Sequence, residues 1–299
     1  MNVTIGIITC QRPHWLAQTL SALQGQLSTA LSPAPTLKVL VVDNDAAGSA
    51  REVCDQARQA GLDLTYIAEP VRGIPAARNR VLASLSDDTE FLAWINDNGL
   101  PEPNWLDVLL QTGLETDADI VMGATEALLP DGSPDWIKRG GFFNRRRFID
   151  YASLAEGASN NCLIRVAALR RSGVRYDEAL NQLGGSDTVF FRQVARAGLT
   201  MVWAVGALVR EQIPADRCRF GWLWQRNLRA GNTLAYCDLK MDGLMGGLRR
   251  FGRALQKLAQ GLISLPLGLT GRHELARALL LIARGLGMLA GLVGMRVRE

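Results

Sequence analysis

From Val3 to Ile95 the chain alternates short apolar runs with longer stretches whose apolar residues recur at helical spacing. Val3–Ile8, Leu37–Val42, Leu62–Ile67 and Phe91–Ile95 read as buried strands. Pro13–Leu27, Ala50–Ala60 (closed by Gly61) and Pro75–Leu85 read as helices. A βαβαβαβ order predicts a mostly parallel, doubly wound sheet flanked by helices, with right-handed crossovers. Such crossovers bring Thr9, Asp43 and Asp97 to one edge. That edge, outside the C-terminal ends of the strands, is where open α/β sheets bind ligands.

Further along, Pro103–Leu110 reads as a helix and Ile120–Ala124 as a strand. The pattern then breaks from Pro130 to Tyr151, which holds Asp131-Gly132, Gly140-Gly141 and Arg145-Arg146-Arg147. A stretch of this length without periodicity reads as a functional loop. Asn161–Val166, Asp187–Ala197 and Thr200–Val205 resume as strand, helix and strand, and Phe220–Ala230 is a further helix. Beyond Asp242 come two helical stretches, Leu244–Ile263 and Glu274–Val293, separated by Pro266 and Gly268. The expected division is an α/β body over 1–239 and a basic, amphipathic helical appendage over 240–299.

Composition sharpens this picture in two places. The five cysteines are scattered without a CxxC pair and only His14 and His273 are present, which argues against a disulfide framework or a zinc site. The N-terminus lacks the basic-then-apolar pattern of a signal peptide. The net charge of +4 hides an asymmetry: Lys240–Glu299 carries ten Lys and Arg against three Asp and Glu, and the remainder 23 against 26. A basic, apolar tail on a mildly acidic body points to a membrane surface rather than nucleic acid. Arg277 and Arg284 interrupt the apolar run that a spanning helix of roughly 20 residues needs. An interfacial hairpin is therefore expected, with packing on the body or on a second subunit as the alternative.

Five segments carry candidate chemistry. They are Thr9-Cys10-Gln11-Arg12-Pro13, Asp43-Asn44-Asp45, the stretch from Glu69 through Arg72-Gly73 to Arg78-Asn79-Arg80, Asn96-Asp97-Asn98-Gly99, and Gly184-Gly185-Ser186-Asp187. Asp43, at a strand tip, can accept hydrogen bonds from a ribose hydroxyl or a base N–H, or form a turn or helix cap. Arg78 can grip phosphate or pair with a strand-end carboxylate. Asp187 can act as a general base or cap its helix.

In this order the segments resemble the family-2 glycosyltransferases, inverting enzymes of the GT-A nucleotide-sugar fold. The closest likeness is to bacterial exopolysaccharide transferases of the succinoglycan glucosyltransferase type, over about residues 3–235. The resemblance implies donor contacts at Thr9, Asp43, Arg72, Arg78, Asn79, Asn96 and Asp97. It implies Asp187 as the base and acceptor or diphosphate contacts at Arg217, Trp224 and Arg226. It also implies a Mg²⁺ or Mn²⁺ ion on the acidic triplet, bridging the donor diphosphate.

The chain departs from that pattern, because Asn96 and Asn98 stand where the family usually has Asp, and hard cations favour carboxylates. Three readings stay open: a weakened site on Asp97 and Asn98, helped by Glu211; a metal-independent enzyme using Arg or Lys; or a catalytically poor chain. Ser186 likewise replaces the usual Glu before Asp187.

The expected donor is a nucleotide sugar, a UDP-sugar first, and the expected acceptor a glycan or polyprenyl-linked glycan at the cytoplasmic membrane face. No nucleic-acid partner is expected, and homo-oligomerisation stays open. The alternatives are a non-catalytic nucleotide-sugar- or glycan-binding subunit with a degenerate metal site, and a nucleotidyltransferase. The second would want a glycine-rich loop after the first strand, where Thr9–Pro13 has no glycine.

Overall fold

The computed structural model describes residues 1–27 and 31–297. The last two residues of the expected appendage lie outside that range. The chain divides into two compact units. One comprises Met1–Leu128, Arg145–Asn181 and Val189–Gln212, and the other Leu129–Asn144, Gln182–Thr188 and Ile213–Glu299. The main division thus falls after Gln212, while the expected 239/240 boundary lies inside a helix.

The first unit holds strands β1 Asn2–Thr9, β2 Thr36–Asp43, β3 Leu64–Ala68, β4 Phe91–Ile95, β5 Gly99–Pro101, β6 Ile120–Leu128, β7 Asn161–Arg165 and β8 Met201–Gln212. They form one sheet in the order β3-β2-β1-β4-β7-β6-β8-β5. β3, β2, β1 and β4 are mutually parallel. β7 runs antiparallel to β4 and to β6, β8 is parallel to β6, and β5 is antiparallel to β8.

The helices α1 Pro13–Gln24, α2 Arg51–Gln59, α3 Ile74–Ala83, α4 Trp105–Thr116 and α6 Val166–Ser172 belong to this unit. Two apolar clusters fill it. One gathers Ile5, Ile7, Val41 and Ile95 with Leu16 and Leu20 of α1 and Leu106 and Leu109 of α4. The other gathers Val42, Leu92 and Trp94 with Val81 of α3. Strand residues that alternate between these clusters explain the near-continuous apolar runs, since both faces of the sheet are covered.

Where β6, β7 and β8 meet, Asn161 acts as a buried knot. Its Nδ2 donates to the carbonyls of Ala124 (2.7 Å) and Ala207 (2.8 Å), and its Oδ1 accepts from Trp105 Nε1 at 2.7 Å. A Cβ on Gly123 would stand 2.4 Å from both the Ala207 carbonyl and the Asn161 amide, so this crossing needs glycine.

In the second unit the region read as one long loop contains helix α5, Asp135–Gly140. Of the two expected C-terminal helices, the first proves to be part of a larger element and the second stands within two residues of its expected ends. Helix α8, Phe220–Ser264, turns back at Gly243 (φ 56°, ψ −140°), and α9 spans Arg272–Leu292. Arg250 and Asp238, both buried, bridge the turn at 2.8 Å. Gly231, Gly287 and Gly291 let α8 and α9 approach so closely that an added Cβ would meet opposing backbone at 2.0–2.8 Å.

Candidate active site

The predicted meeting of strand tips occurs in the first unit. Thr9 is in register with Asp43 across β1 and β2. On its other side, Thr9 Oγ1 donates to Asp97 Oδ2 at 2.9 Å. Asp97 follows β4 and is buried; a hydroxyl of Thr19 in α1 fixes its backbone carbonyl at 2.9 Å. Its other oxygen, Oδ1, faces the guanidinium of Arg12 at 3.5 Å. Arg12 is the residue just before α1, and sequence reasoning passed over it.

Asp43 is wholly buried and spent on its own neighbourhood. Oδ1 accepts from the Asp45 amide (3.1 Å), while Oδ2 accepts from the Ala50 amide (2.9 Å) and the Tyr66 hydroxyl (3.1 Å). The carboxylate thus shapes the turn into α2, the turn-forming alternative raised from sequence. Burial, followed by the charge of Asp43 and this hydrogen bond, pushes the Tyr66 phenol up to about 12. Asp45 accepts from the Ala47 amide and from Gln11. Its carboxyl is held below the usual range, first by the Ser49 hydroxyl.

Asn44 ties the next loop to this edge. Its amide nitrogen donates to the carbonyls of Glu69 (3.0 Å) and Val71 (2.7 Å), and its Oδ1 accepts from the Gly73 amide at 2.7 Å. Gly73 has φ 143°, and a Cβ there would collide with Asn181. The loop so held carries Arg72, which donates to the Asn44 carbonyl at 3.0 Å and touches the Cys10 thiol. Arg72 therefore stands at the edge where it was expected.

Arg78 and Asn79 both make contacts inside the fold. Arg78 is buried, with its guanidinium 5.2 Å from the Tyr176 ring and 6.0 Å from the Trp94 ring. Asn79 uses both ends of its amide on 176–178: Nδ2 donates to the Tyr176 carbonyl (2.9 Å) and to Glu178 (2.7 Å), and Oδ1 accepts from the Tyr176 amide (2.9 Å). These contacts make Asn79 a clasp between distant segments.

The tip beyond β4 is closed by a strand absent from the sequence reading. β5 pairs Gly99 with Glu211 of β8, so Glu211 does lie beside the Asn96–Asn98 turn. The Asn96 carbonyl accepts from the Gly99 amide at 3.0 Å. Asn98 Nδ2 donates to the Gln212 carbonyl at 2.7 Å, and the Asn98 carbonyl accepts from the Gln212 amide at 3.0 Å. Glu211 Oε2 is paired with Arg145 at 2.8 Å. Arg147 pairs with Glu126, and Arg146 lies 4.9 Å from the Phe148 ring, so the arginine triplet is engaged within its own unit.

A Mg²⁺ or Mn²⁺ ion needs several oxygen donors, carboxylates above all. Here Asp97 already serves Thr9 and Arg12, Asn98 offers an uncharged amide oriented by Gln212, and Glu211 is neutralised by Arg145. Among the described residues, no three of His, Cys, Asp and Glu are grouped as a metal centre needs. The donor set expected at Asp97, Asn98 and Glu211 does not fit a divalent-cation centre.

In the second unit, Asp187 lies on the first turn of α7, Ser186–Arg196, half-buried. Gly184 and Gly185 before it both have positive φ (71° and 78°), a conformation that favours glycine. Thr233 of α8 clamps this turn by donating to the Gly184 carbonyl at 3.2 Å, and its side chain fills the space that a Cβ on Gly185 would need.

Arg217 and Arg226, expected as acceptor or diphosphate contacts, converge on Trp222. Their guanidiniums lie 5.3 and 5.4 Å from the Trp222 ring, which stacks on Phe143 at 5.7 Å. Trp224 instead meets Phe220 at 6.1 Å.

A family model described as glycosyl transferase family 2 matches residues 4–173. The chain is 32% identical over 234 residues to the succinoglycan biosynthesis protein ExoM of Rhizobium meliloti (strain 1021), covering 78% of this chain and 74% of ExoM. Its fold is similar to that of S. aureus TarS 1-349 in complex with UDP-GlcNAc, with TM-score 0.58 and 12% identity over 100% of this chain and 93% of that one. It is also similar to the mannosyltransferase PcManGT from Pyrobaculum calidifontis in complex with GDP-Man and Mn²⁺, with TM-score 0.63 and 15% identity over 96% and 86% of the two chains. The sheet order, the strand-tip edge and the extent of these matches agree: this chain belongs to glycosyl transferase family 2 and is a glycosyltransferase of the GT-A fold.

Proposed function

We propose that the protein is an inverting glycosyltransferase that moves a sugar from a nucleotide-sugar donor, a UDP-sugar, to a hydroxyl of a lipid-linked or polysaccharide acceptor during exopolysaccharide assembly. The reading is supported by the relative named for succinoglycan biosynthesis and by a structural neighbour that holds UDP-GlcNAc. GDP-Man in the other neighbour makes a GDP-sugar the donor to try next. The observation that carries a catalytic role is Asp187, retained at the head of α7 behind a two-glycine turn clamped by Thr233.

In this scheme the Asp187 carboxylate takes the proton of the acceptor hydroxyl. The freed oxygen attacks the anomeric carbon from the face opposite the diphosphate. The bond from that carbon to the diphosphate oxygen breaks, and its electron pair leaves with the nucleoside diphosphate. Trp222, flanked by Arg217 and Arg226, offers an aromatic face to the acceptor sugar.

Membrane-surface attachment belongs to the same proposal. Leu244, Leu248, Phe251, Leu255 and Leu262 recur on one face of the second arm of α8 and are all exposed, and Arg249 and Arg253 are exposed on another side of the same arm. An exposed apolar face on an arm that also carries cations suits an anionic lipid surface. Helix α9 is by length and composition apolar enough to cross a membrane, which is weaker support.

Asn96 and Asn98 favour a second reading, a subunit that binds a nucleotide sugar without turning it over. Release of nucleoside diphosphate from a panel of nucleotide sugars, with and without glycan acceptors, separates the two. Turnover of at least one donor is expected, and binding without turnover across the panel supports the subunit.

A further inference from the structure

We infer that Arg12, aimed by Asp97, is the cation that binds the donor diphosphate, so that this enzyme holds its donor without a divalent metal. The inference rests on the nucleotide-sugar reading above and starts from the charges at the β4 tip. Arg12 has 40% of its side chain exposed while Asp97 has 7%. The carboxylate is therefore the fixed partner and the guanidinium the part a ligand can reach. Thr9 holds one oxygen of Asp97 and the Arg12 guanidinium faces the other, so the buried carboxylate orients the cation.

A guanidinium keeps its charge at every working pH. Its planar fork of N–H donors can bind two phosphate oxygens at once, without coordinating ligands.

The two asparagines then have a chemical reason. A cluster of carboxylates beside a diphosphate is tolerable only when a dication sits between them; without it, like charges repel. Replacing Asp with Asn at 96 and 98 removes two negative charges from that position. The carboxylates that remain at the tip each face a guanidinium, Asp97 with Arg12 and Glu211 with Arg145. Asn98 is also fitted to its place, since its Nδ2 donates to the Gln212 carbonyl, a contact a carboxylate cannot make. Loss of carboxylate and presence of guanidinium are thus complementary features of one site.

Calorimetric titration of the full chain with UDP and GDP, in EDTA and with saturating Mn²⁺, tests this. The affinity of whichever diphosphate binds should agree within about twofold between the two conditions. Arg12→Ala should weaken it about tenfold or more, the size of a lost hydrogen bond to a charged group, with Arg12→Lys in between. UMP or GMP should lose less than its diphosphate.

Tightening by Mn²⁺ of about tenfold or more in the unaltered protein overturns the inference while leaving the donor reading intact. So does a folded Arg12→Ala variant that binds as the parent does. Failure of both diphosphates to bind, with and without Mn²⁺, overturns the donor reading and this inference together. If Arg12→Ala does not fold, the EDTA comparison on the unaltered protein and Arg12→Lys decide.

Discussion

Two strand tips on one sheet edge carry nearly mirror-image motifs, Asp43-Asn44-Asp45 after β2 and Asn96-Asp97-Asn98 after β4, yet they do different work. At the first, the acid is fully buried and three protein donors occupy it. At the second, a buried acid faces outward through a half-exposed arginine. A carboxylate at a strand tip is therefore no signature of ligand binding by itself. What separates the two is whether its hydrogen bonds close a turn or orient another charged group.

The contrast can be broken most forcefully at Asp43. Asp43→Ala leaves the Asp45 and Ala50 amides and the Tyr66 hydroxyl without their acceptor. It should cost about 3 kcal/mol or more of unfolding free energy in urea, since each abandoned buried donor costs about 1–3 kcal/mol. A loss well below 1 kcal/mol would mean that the β2 tip is not a structural turn.

Asn98→Asp probes the other tip. It sets a carboxylate oxygen against the Gln212 carbonyl in place of a donor at 2.7 Å, and should cost about 1–3 kcal/mol. Thermal unfolding with and without Mn²⁺ checks it: no metal-dependent gain is expected, and a clear rise in Tm would show that a metal site had been restored.

The smallest effect lies with Tyr66. Its raised phenol means the folded protein keeps a proton that the unfolded chain releases from about pH 10. This contribution to stability is complete below pH 10 and is lost as the pH climbs towards 12. Tyr66→Phe should flatten that decline in a Tm-against-pH series, and an unchanged slope would argue that the Tyr66 phenol is not raised in the fold.

Most of the sheet was legible because its strands are covered on both faces and so read as unbroken apolar runs. β4 was placed to the residue. β5 was hidden because three residues containing a glycine and a proline carry no periodicity, and only pairing with β8 makes them a strand. The edge assembly of Thr9, Asp43 and Asp97 followed from crossover handedness alone.

Partners remote in sequence were out of reach. Asn79 is claimed by residues 97 to 99 positions away, which no local pattern shows. Trp222 could have been found, since it stands four residues before Arg226 and shares its helix face, whereas Trp224 points elsewhere. Arg12 was passed over as part of a run ending a strand; its meaning depends on Asp97 being opposite.

The central claim, a transferase driven by a carboxylate base, is tested most directly by Asp187→Asn, measured for both sugar transfer and nucleoside diphosphate affinity. Transfer should vanish while affinity stays within about twofold, because a base acts in the transition state and not in donor binding. Transfer surviving at near-parental rate would contradict the account.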